Sequence, residues 1–372
     1  MLKVLALVPD FIEKPSGGLG EQYRNMLNFL EGRVEYYTVG YPEDNKIKNY
    51  KSASNPLPAF NHASLVTIFG QSIYFLEGLK FNQQFDIIHA YDWSTFYAGY
   101  LCKEYFKKPL VCSVNLSLKQ LNKKGIYYCH DYNTIDGQYI NDLQNEFETL
   151  GLNHADKIVQ VSQYYKSLYP EYDEKTTIVP NGLDLDKWIK KRNPKFPGKN
   201  KIKLCYIGRA AAMKGLDIIL KCNIPDDIDF YFVVSSKNAE GTIYQSILQK
   251  CNNKNIFHIP GLYGQDKIDF LFSIDGIVMP SIHEPFGIVA LEALMSESVL
   301  FTTAVDGIAE IVDGIEFVSI QTPEGLAKGI EAYKQLSQEQ IKEMRKKGKQ
   351  RAMQFSWQGA SDKLYDLYKS LN

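Results

Sequence analysis

Short, continuous apolar runs alternate along nearly the whole chain with stretches whose apolar residues recur at helical spacing. In the first half, runs at 3–8, 34–39, 85–89, 110–114, 157–160 and 177–179 predict strands, and periods at 19–30, 65–79, 96–106 and 140–153 predict helices. The strand runs are apolar at successive positions, as in a parallel sheet with both faces covered. Strand–helix alternation of this length predicts a doubly wound α/β domain. The pattern breaks at Lys-Lys-Arg-Asn-Pro-Lys-Phe-Pro-Gly-Lys-Asn-Lys (190–201), which is polar and proline-bearing and reads as an exposed linker. It then restarts, with strands at 203–207, 230–234, 255–259, 276–279, 299–302 and 316–319. The expectation is two doubly wound domains, 1–190 and 191–355, facing across a cleft. A last helix, 356–372, is expected to pack back on the first domain, with Ser356 as its N-cap.

A length of 372 residues exceeds what one hydrophobic core usually spans, in keeping with two domains. The 42 basic and 43 acidic residues leave a net charge of −1, which excludes a chain-wide basic surface of the kind that tracks nucleic acid. Six cysteines (102, 112, 129, 205, 222 and 251) form no Cys-x-x-Cys pair and no zinc-spaced cluster, so reduced, mostly buried thiols are expected. The first apolar run ends at Pro9-Asp10, too early for a signal peptide, and no run of 18 apolar residues occurs. A cytoplasmic protein is expected, with membrane contact at most peripheral.

Open α/β sheets bind ligands at the carboxyl ends of their strands, so the loops that follow strands carry the information. The first is Glu13-Lys14-Pro15-Ser16-Gly17-Gly18-Leu19-Gly20. Its glycines let backbone N–H groups approach an anion at a helix start, and Lys14 adds a charge, so the loop reads as a phosphate cradle. A tight turn without a ligand is the plainer reading of the same residues. Gly-x-Gly-x-x-Gly is absent, and the second strand ends Thr38-Val39-Gly40 with no acidic residue to hold a ribose, which disfavours a nicotinamide dehydrogenase. The absence of Gly-x-x-x-x-Gly-Lys-Ser/Thr disfavours a P-loop enzyme.

In the second half, the strand at 203–207 runs into Gly208-Arg209-Ala-Ala-Ala-Met213-Lys214-Gly215, where Arg209 and Lys214 can converge on one anion. The strand at 276–279 runs into Pro280-Ser281-Ile282-His283-Glu284-Pro285-Phe286-Gly287-Ile288. There the amides of Phe286, Gly287 and Ile288 become free donors at a helix start. Glu292 lies in the otherwise apolar helix that follows, where a carboxylate is costly unless paired or ligand-bound. Helical side chains lean toward the N-terminus, so Glu292 can face whatever those amides hold.

Glu284 and Glu292 with seven residues between them, Gly208-Arg209 before Met213-Lys214-Gly215, and Lys14-Pro-Ser-Gly17-Gly18-Leu-Gly together resemble retaining glycosyltransferases of the GT-B architecture. The likeness is greatest to glycosyltransferase family 4 and the glycogen and starch synthases. His89-Ala-Tyr-Asp92-Trp93, Pro180-Asn181-Gly182-Leu183-Asp184 and Phe355-Ser356-Trp357 follow in the family's order. The resemblance implies two Rossmann-like domains and a nucleotide-diphosphate sugar, most simply UDP-linked, held by the C-terminal one. Arg209 and Lys214 would bind the diphosphate, Glu284 the donor sugar's hydroxyls and Glu292 the ribose, with amides of 286–288 and of Gly17 and Gly18 completing the phosphate site. It implies hexose transfer to a hydroxyl of a glycan, lipid or small molecule with retained configuration, and neither a metal nor a resident cofactor. Asp184-Leu-Asp186 and Asp227-Ile-Asp229 match a metal-binding Asp-x-Asp pattern, but neither follows a strand at the expected cleft, and both read as structural.

One departure concerns the acceptor side. Where the family has a histidine after the fourth strand of the first domain, this chain has Asn115, which can hydrogen-bond a sugar but cannot titrate. His89, Asp92 and His130 are the other acceptor-side candidates, with Lys14 from the first loop. The substitution keeps open a catalytically silent nucleotide-sugar binding protein, and the shared architecture keeps open a nucleotide-sugar epimerase.

Overall fold

The computed structural model describes residues 1–9, 18–40, 47–52, 73, 75–82, 84–125, 135–235 and 241–372. Lys14, Gly17 and His130, and most of the helix expected at 65–79, lie outside them. Contacts divide the chain into two units, Met1–Asn181 with Trp357–Asn372, and Gly182–Ser356.

The first unit runs β1 (Leu2–Val8), α1 (Gly18–Phe29), β2 (Val34–Gly40), β3 (Tyr50–Ser52), β4 (Ile87–Tyr91), α2 (Trp93–Phe106), β5 (Leu110–Val114), α3 (Leu118–Lys123), α4 (Ile135–His154), β6 (Lys157–Gln160), α5 (Gln163–Ser167) and β7 (Thr176–Ile178). Its sheet is parallel, in the order β3-β2-β1-β4-β5-β6-β7. Strands β4 and β5 are buried at every position, as strands of a parallel sheet covered on both faces are. The last helix, Trp357–Lys369, belongs to this unit. Arg33 anchors it with a 2.5 Å ion pair to Asp362 and a guanidinium 4.1 Å above the Tyr365 ring.

The second unit contains β8 (Ile202–Ile207), α6 (Asp217–Lys221), β9 (Ile228–Val233), α7 (Gly241–Lys250), β10 (Ile256–Ile259), α8 (Gly264–Leu271), β11 (Gly276–Met279), α9 (Ile288–Met295), β12 (Val299–Thr302), α10 (Gly307–Ile311), β13 (Val318–Ser319), α11 (Pro323–Gln335) and α12 (Gln338–Ala352), and the helix at Trp357–Lys369 is α13. Its sheet is also parallel, β10-β9-β8-β11-β12-β13. The order in which successive strands are added reverses in each sheet between the first strand and the fourth, β1/β4 and β8/β11. That reversal opens a crevice at the carboxyl ends of those strands.

The stretch 190–201 is not a free linker. Asp269 accepts from the Lys191 N–H at 2.7 Å and from Arg192 Nε at 3.1 Å. Phe196 packs edge-on to Phe270, and Tyr231 donates to the Pro197 carbonyl at 2.7 Å. Asp229 accepts from the Asn200 N–H at 2.9 Å. One aromatic and two buried aspartates outweigh the stretch's polar composition and strap it to the second unit. Burial pushes the Asp269 carboxyl up, but the donors around it hold it down at about 2.

Candidate active site

Three loops of the second unit meet at the β8/β11 crevice. After β8, the Tyr206 hydroxyl donates to the Arg209 carbonyl at 2.5 Å and shapes the turn. The turn ends at Gly215, whose φ of 62° belongs to the left-handed region. A Cβ there would lie 1.9 Å from the Pro280 carbonyl oxygen, so only glycine lets this loop approach the one after β11. The approach brings the Met213 carbonyl within reach of the N–H groups of Ile282 (2.9 Å) and His283 (3.2 Å).

On its other flank the 280–287 loop is tied to the loop after β12. Thr303 Oγ1 donates to the Ser281 carbonyl at 2.6 Å, Asp306 Oδ2 accepts from the Glu284 N–H at 3.1 Å, and the Gly307 N–H donates to the Glu284 carbonyl at 3.0 Å. A Cβ at Gly307 would stand 2.2 Å from the Pro285 oxygen. The segment bearing Glu284 is thus held from both sides.

The buried Glu284 carboxylate accepts from Lys214 Nζ at 2.6 Å and from Ser281 Oγ at 3.4 Å. Arg209 lies on the exposed rim, its guanidinium 4.0 Å from Met213 Sδ. Glu292, also buried, accepts from Lys267 Nζ of α8 at 2.5 Å. Phe286 is buried against Phe355, and Gly287 caps α9 with a φ of 104°. The N–H groups of Phe286, Gly287 and Ile288 donate to no backbone carbonyl among the described residues, as free donors at a helix start do. Lys214, Glu284 and the 286–288 amides therefore cluster at one strand edge, and Glu292 lies on the helix those amides begin.

Lys267, His283, Thr303, Asp306 and Gly307 escaped the reading of the sequence. Lys267 lies 25 positions before its partner, and the Asp306-Gly307 turn after β12 was the signal that could have pointed to its loop.

In the first unit, Asp92 and Asn115 end neighbouring strands. Asp92 has a φ of 60°, and its Oδ1 accepts from the N–H groups of Asn115 (2.6 Å) and Leu116 (3.2 Å). Asn115 Nδ2 is buried and has no hydrogen-bond partner among the described residues. Gly18 opens α1 and is exposed.

His89 corrects the expectation for the acceptor side. It lies inside β4, is 0% exposed, and has Tyr368 Oη 2.5 Å from Nδ1 and Ser113 Oγ 2.7 Å from Nε2. Burial pushes its pKa down to about 3, so the ring is neutral and locked in the core. The two Asp-x-Asp pairs are occupied by local contacts: Asp184 pairs with Lys187, Asp227 with Lys334, and Asp229 holds the strap.

Two parallel-sheet, Rossmann-like units of this kind make up the GT-B fold of sugar-transferring enzymes. Residues 16–187 match the model of Glycosyltransferase Family 4, and residues 186–352 that of Glycosyl transferases group 1. The chain belongs to this family of glycosyltransferases. It is 24% identical over 357 residues to an uncharacterized glycosyltransferase of Methanocaldococcus jannaschii, a match spanning 89% of this chain and 88% of that one. Its fold is similar to sucrose-phosphate synthase from Thermosynechococcus elongatus, with a TM-score of 0.81 at 17% identity over 100% of this chain and 99% of that one. It is also similar to Anabaena HepE, solved in complex with UDP-glucose, with a TM-score of 0.75 at 15% identity over 100% of both chains. No helix among the described residues is long and apolar enough to cross a membrane.

Proposed function

We propose that this glycosyltransferase moves a hexose from a uridine diphosphate sugar to a hydroxyl acceptor with retention at the anomeric carbon, using neither a metal nor a resident cofactor. The observation that carries the reading is the Lys214–Glu284 pair at the β8/β11 crevice, beside the free amides that open α9. Cleaving the anomeric bond leaves negative charge on the diphosphate and oxocarbenium character on the sugar. Lys214, Arg209 and the 286–288 amides would receive that phosphate charge as it develops, which is where fixed dipoles and cations lower a barrier most. Glu284 would orient the sugar through its hydroxyls, and Glu292 the ribose. The ammonium of Lys214 has three donors, so it can keep Glu284 and still meet a phosphate oxygen. Neither His89, buried and neutral, nor Asn115, which does not titrate, can take the acceptor's proton. In this scheme it leaves with the departing phosphate oxygen on the face from which the acceptor attacks.

The test has two stages. Thermal-shift titration with uridine, guanosine and adenosine diphosphates should single out UDP. Incubation with UDP-hexoses and water or simple glycoside acceptors should then release UDP, with the product's anomeric proton showing the donor's configuration by NMR. Saturable binding without turnover of any donor would overturn transfer, an altered sugar still attached to UDP would make the enzyme an epimerase, and an inverted product would refute retention.

A further inference from the structure

The Glu284 backbone is gripped at both its N–H and its carbonyl by two consecutive residues of another loop. Asp306 takes its N–H and Gly307 donates to its carbonyl. The same Asp306 Oδ2 lies 2.6 Å from Nδ1 of His283, which precedes Glu284 and is 0% exposed. One oxygen therefore binds two consecutive residues of the 280–287 loop.

The backbone of Asp306 is unusual. Its φ of 52° and ψ of −125° lie outside the left-handed helical well, in a conformation that residues with a Cβ rarely adopt. Ala304, two residues earlier, also has a positive φ of 52°. Strained backbone of this kind persists where the surroundings over-determine it, and it gathers at functional sites. A glycine at 306 would adopt the turn with less strain, yet the chain carries an aspartate whose carboxylate is almost wholly buried against the Glu284 peptide.

We propose that Asp306 and His283 are positioning residues: a buried acid–imidazole pair that fixes the Glu284 peptide, and through it the Glu284 carboxylate, against the donor. The pair need not touch the substrate. His283 presents its nitrogen to Asp306 and holds that carboxylate in place, and Asp306 passes the constraint to Glu284 through a single hydrogen bond. The claim rests on the transferase reading for its consequence in catalysis, though not for its geometry. Groups that act directly on a reacting sugar must be held to within a fraction of an ångström, and their supporting partners set that precision.

The discriminating variant is Asp306→Gly, which relieves the backbone and removes the carboxylate. Its melting temperature should match or exceed that of the parent, while kcat with UDP-glucose falls roughly 10- to 100-fold and KM for the donor stays within about threefold. Asp306→Asn keeps an acceptor oxygen and should recover most of the loss, and His283→Gln should fall between. Hydrogen exchange followed by mass spectrometry on the peptide spanning Glu284 should quicken in Asp306→Gly. A melting temperature held with kcat within twofold of the parent, or unchanged exchange at Glu284, would overturn the proposal. If the parent turns over no nucleotide sugar at all, the transferase reading fails, and the exchange result alone decides whether the grip exists.

Discussion

Lys267 places its Nζ 2.5 Å from Oε1 of Glu292, joining α8 to the middle of an otherwise apolar helix. The lysine is partly exposed and the glutamate is not, so the pair runs from the surface inward. Removing the lysine leaves a buried carboxylate unpaired, which is more costly than lacking the pair altogether. Lys267→Met should lower stability by about 1–3 kcal/mol and raise the donor KM about tenfold. The double variant Lys267→Met/Glu292→Met should recover the stability without recovering donor binding. Denaturant melts and donor titrations on all three proteins check both halves.

Lys214→Ala and Arg209→Ala should each cut turnover on the order of 10²-fold or more, as the loss of one preorganised contact to a developing charge does elsewhere. The two should differ in stability. Lys214 is half-buried against Glu284, so its loss leaves that carboxylate unpaired, while Arg209 on the rim can be removed with little change in melting temperature. Steady-state kinetics beside thermal melts separate the two effects, and near-normal turnover in both variants would remove them from the phosphate site.

Gly215→Ala combines a positive φ with a Cβ that would sit 1.9 Å from a backbone oxygen, and backbone cannot swing aside as a side-chain tip can. It should destabilise the second unit by at least about 2 kcal/mol and lower turnover in the fraction that folds, because the Met213 contact to Ile282 and His283 would open. Limited proteolysis and circular dichroism read the first effect, and activity per folded molecule the second.

Two buried groups give stability opposite pH dependences. His89 is held neutral, with its pKa pushed by burial from 6.5 down to about 3, so its contribution is full above pH 6.5 and drains away as pH falls toward 3. Glu148 of α4 is raised by burial to about 7, although the Tyr169 hydroxyl at 2.5 Å and the Leu118 N–H at 3.1 Å favour its charged form. Its contribution is full below about pH 4.5 and is lost as pH rises through 7. Glu148→Gln should therefore flatten the decline in melting temperature between about pH 5 and 8, by up to about 3 kcal/mol of stability. His89→Gln should flatten the decline on the acid side. If the Glu148→Gln variant keeps the parent's alkaline slope, this carboxyl is not the group responsible.

Most strands could be read from the chain because burial on both faces leaves unbroken apolar runs, as at 4–8 and 230–234. Strand β3, Tyr50–Ser52, could not: it is a half-buried edge of three residues with no such run. The misplacement of His89 has one cause. The apolar run stops at the histidine, whereas the strand continues to Tyr91 and sets the ring in mid-sheet, where a buried network of hydroxyls takes its nitrogens. Arg209, Lys214, Glu284 and Glu292 were visible because each follows a strand or interrupts an apolar helix. Asp306 was not, since its role arises from a turn whose strain and neighbours exist only once the chain has folded. The stretch at 190–201 misled for a similar reason, because composition alone does not reveal that Phe196 has an aromatic pocket waiting.

The first unit is made from two separated pieces of chain, with all of 182–356 between them. During synthesis its early strands and helices emerge long before α13, and the hydroxyl of Tyr368 that closes the His89 nitrogen follows only after the whole second unit. Until then the ribosome carries a first unit with an open seam, and the second unit is the earlier of the two to have its whole sequence available as one continuous segment. A nascent chain stalled before residue 357 should accordingly show the second unit resisting protease while the first is still cut.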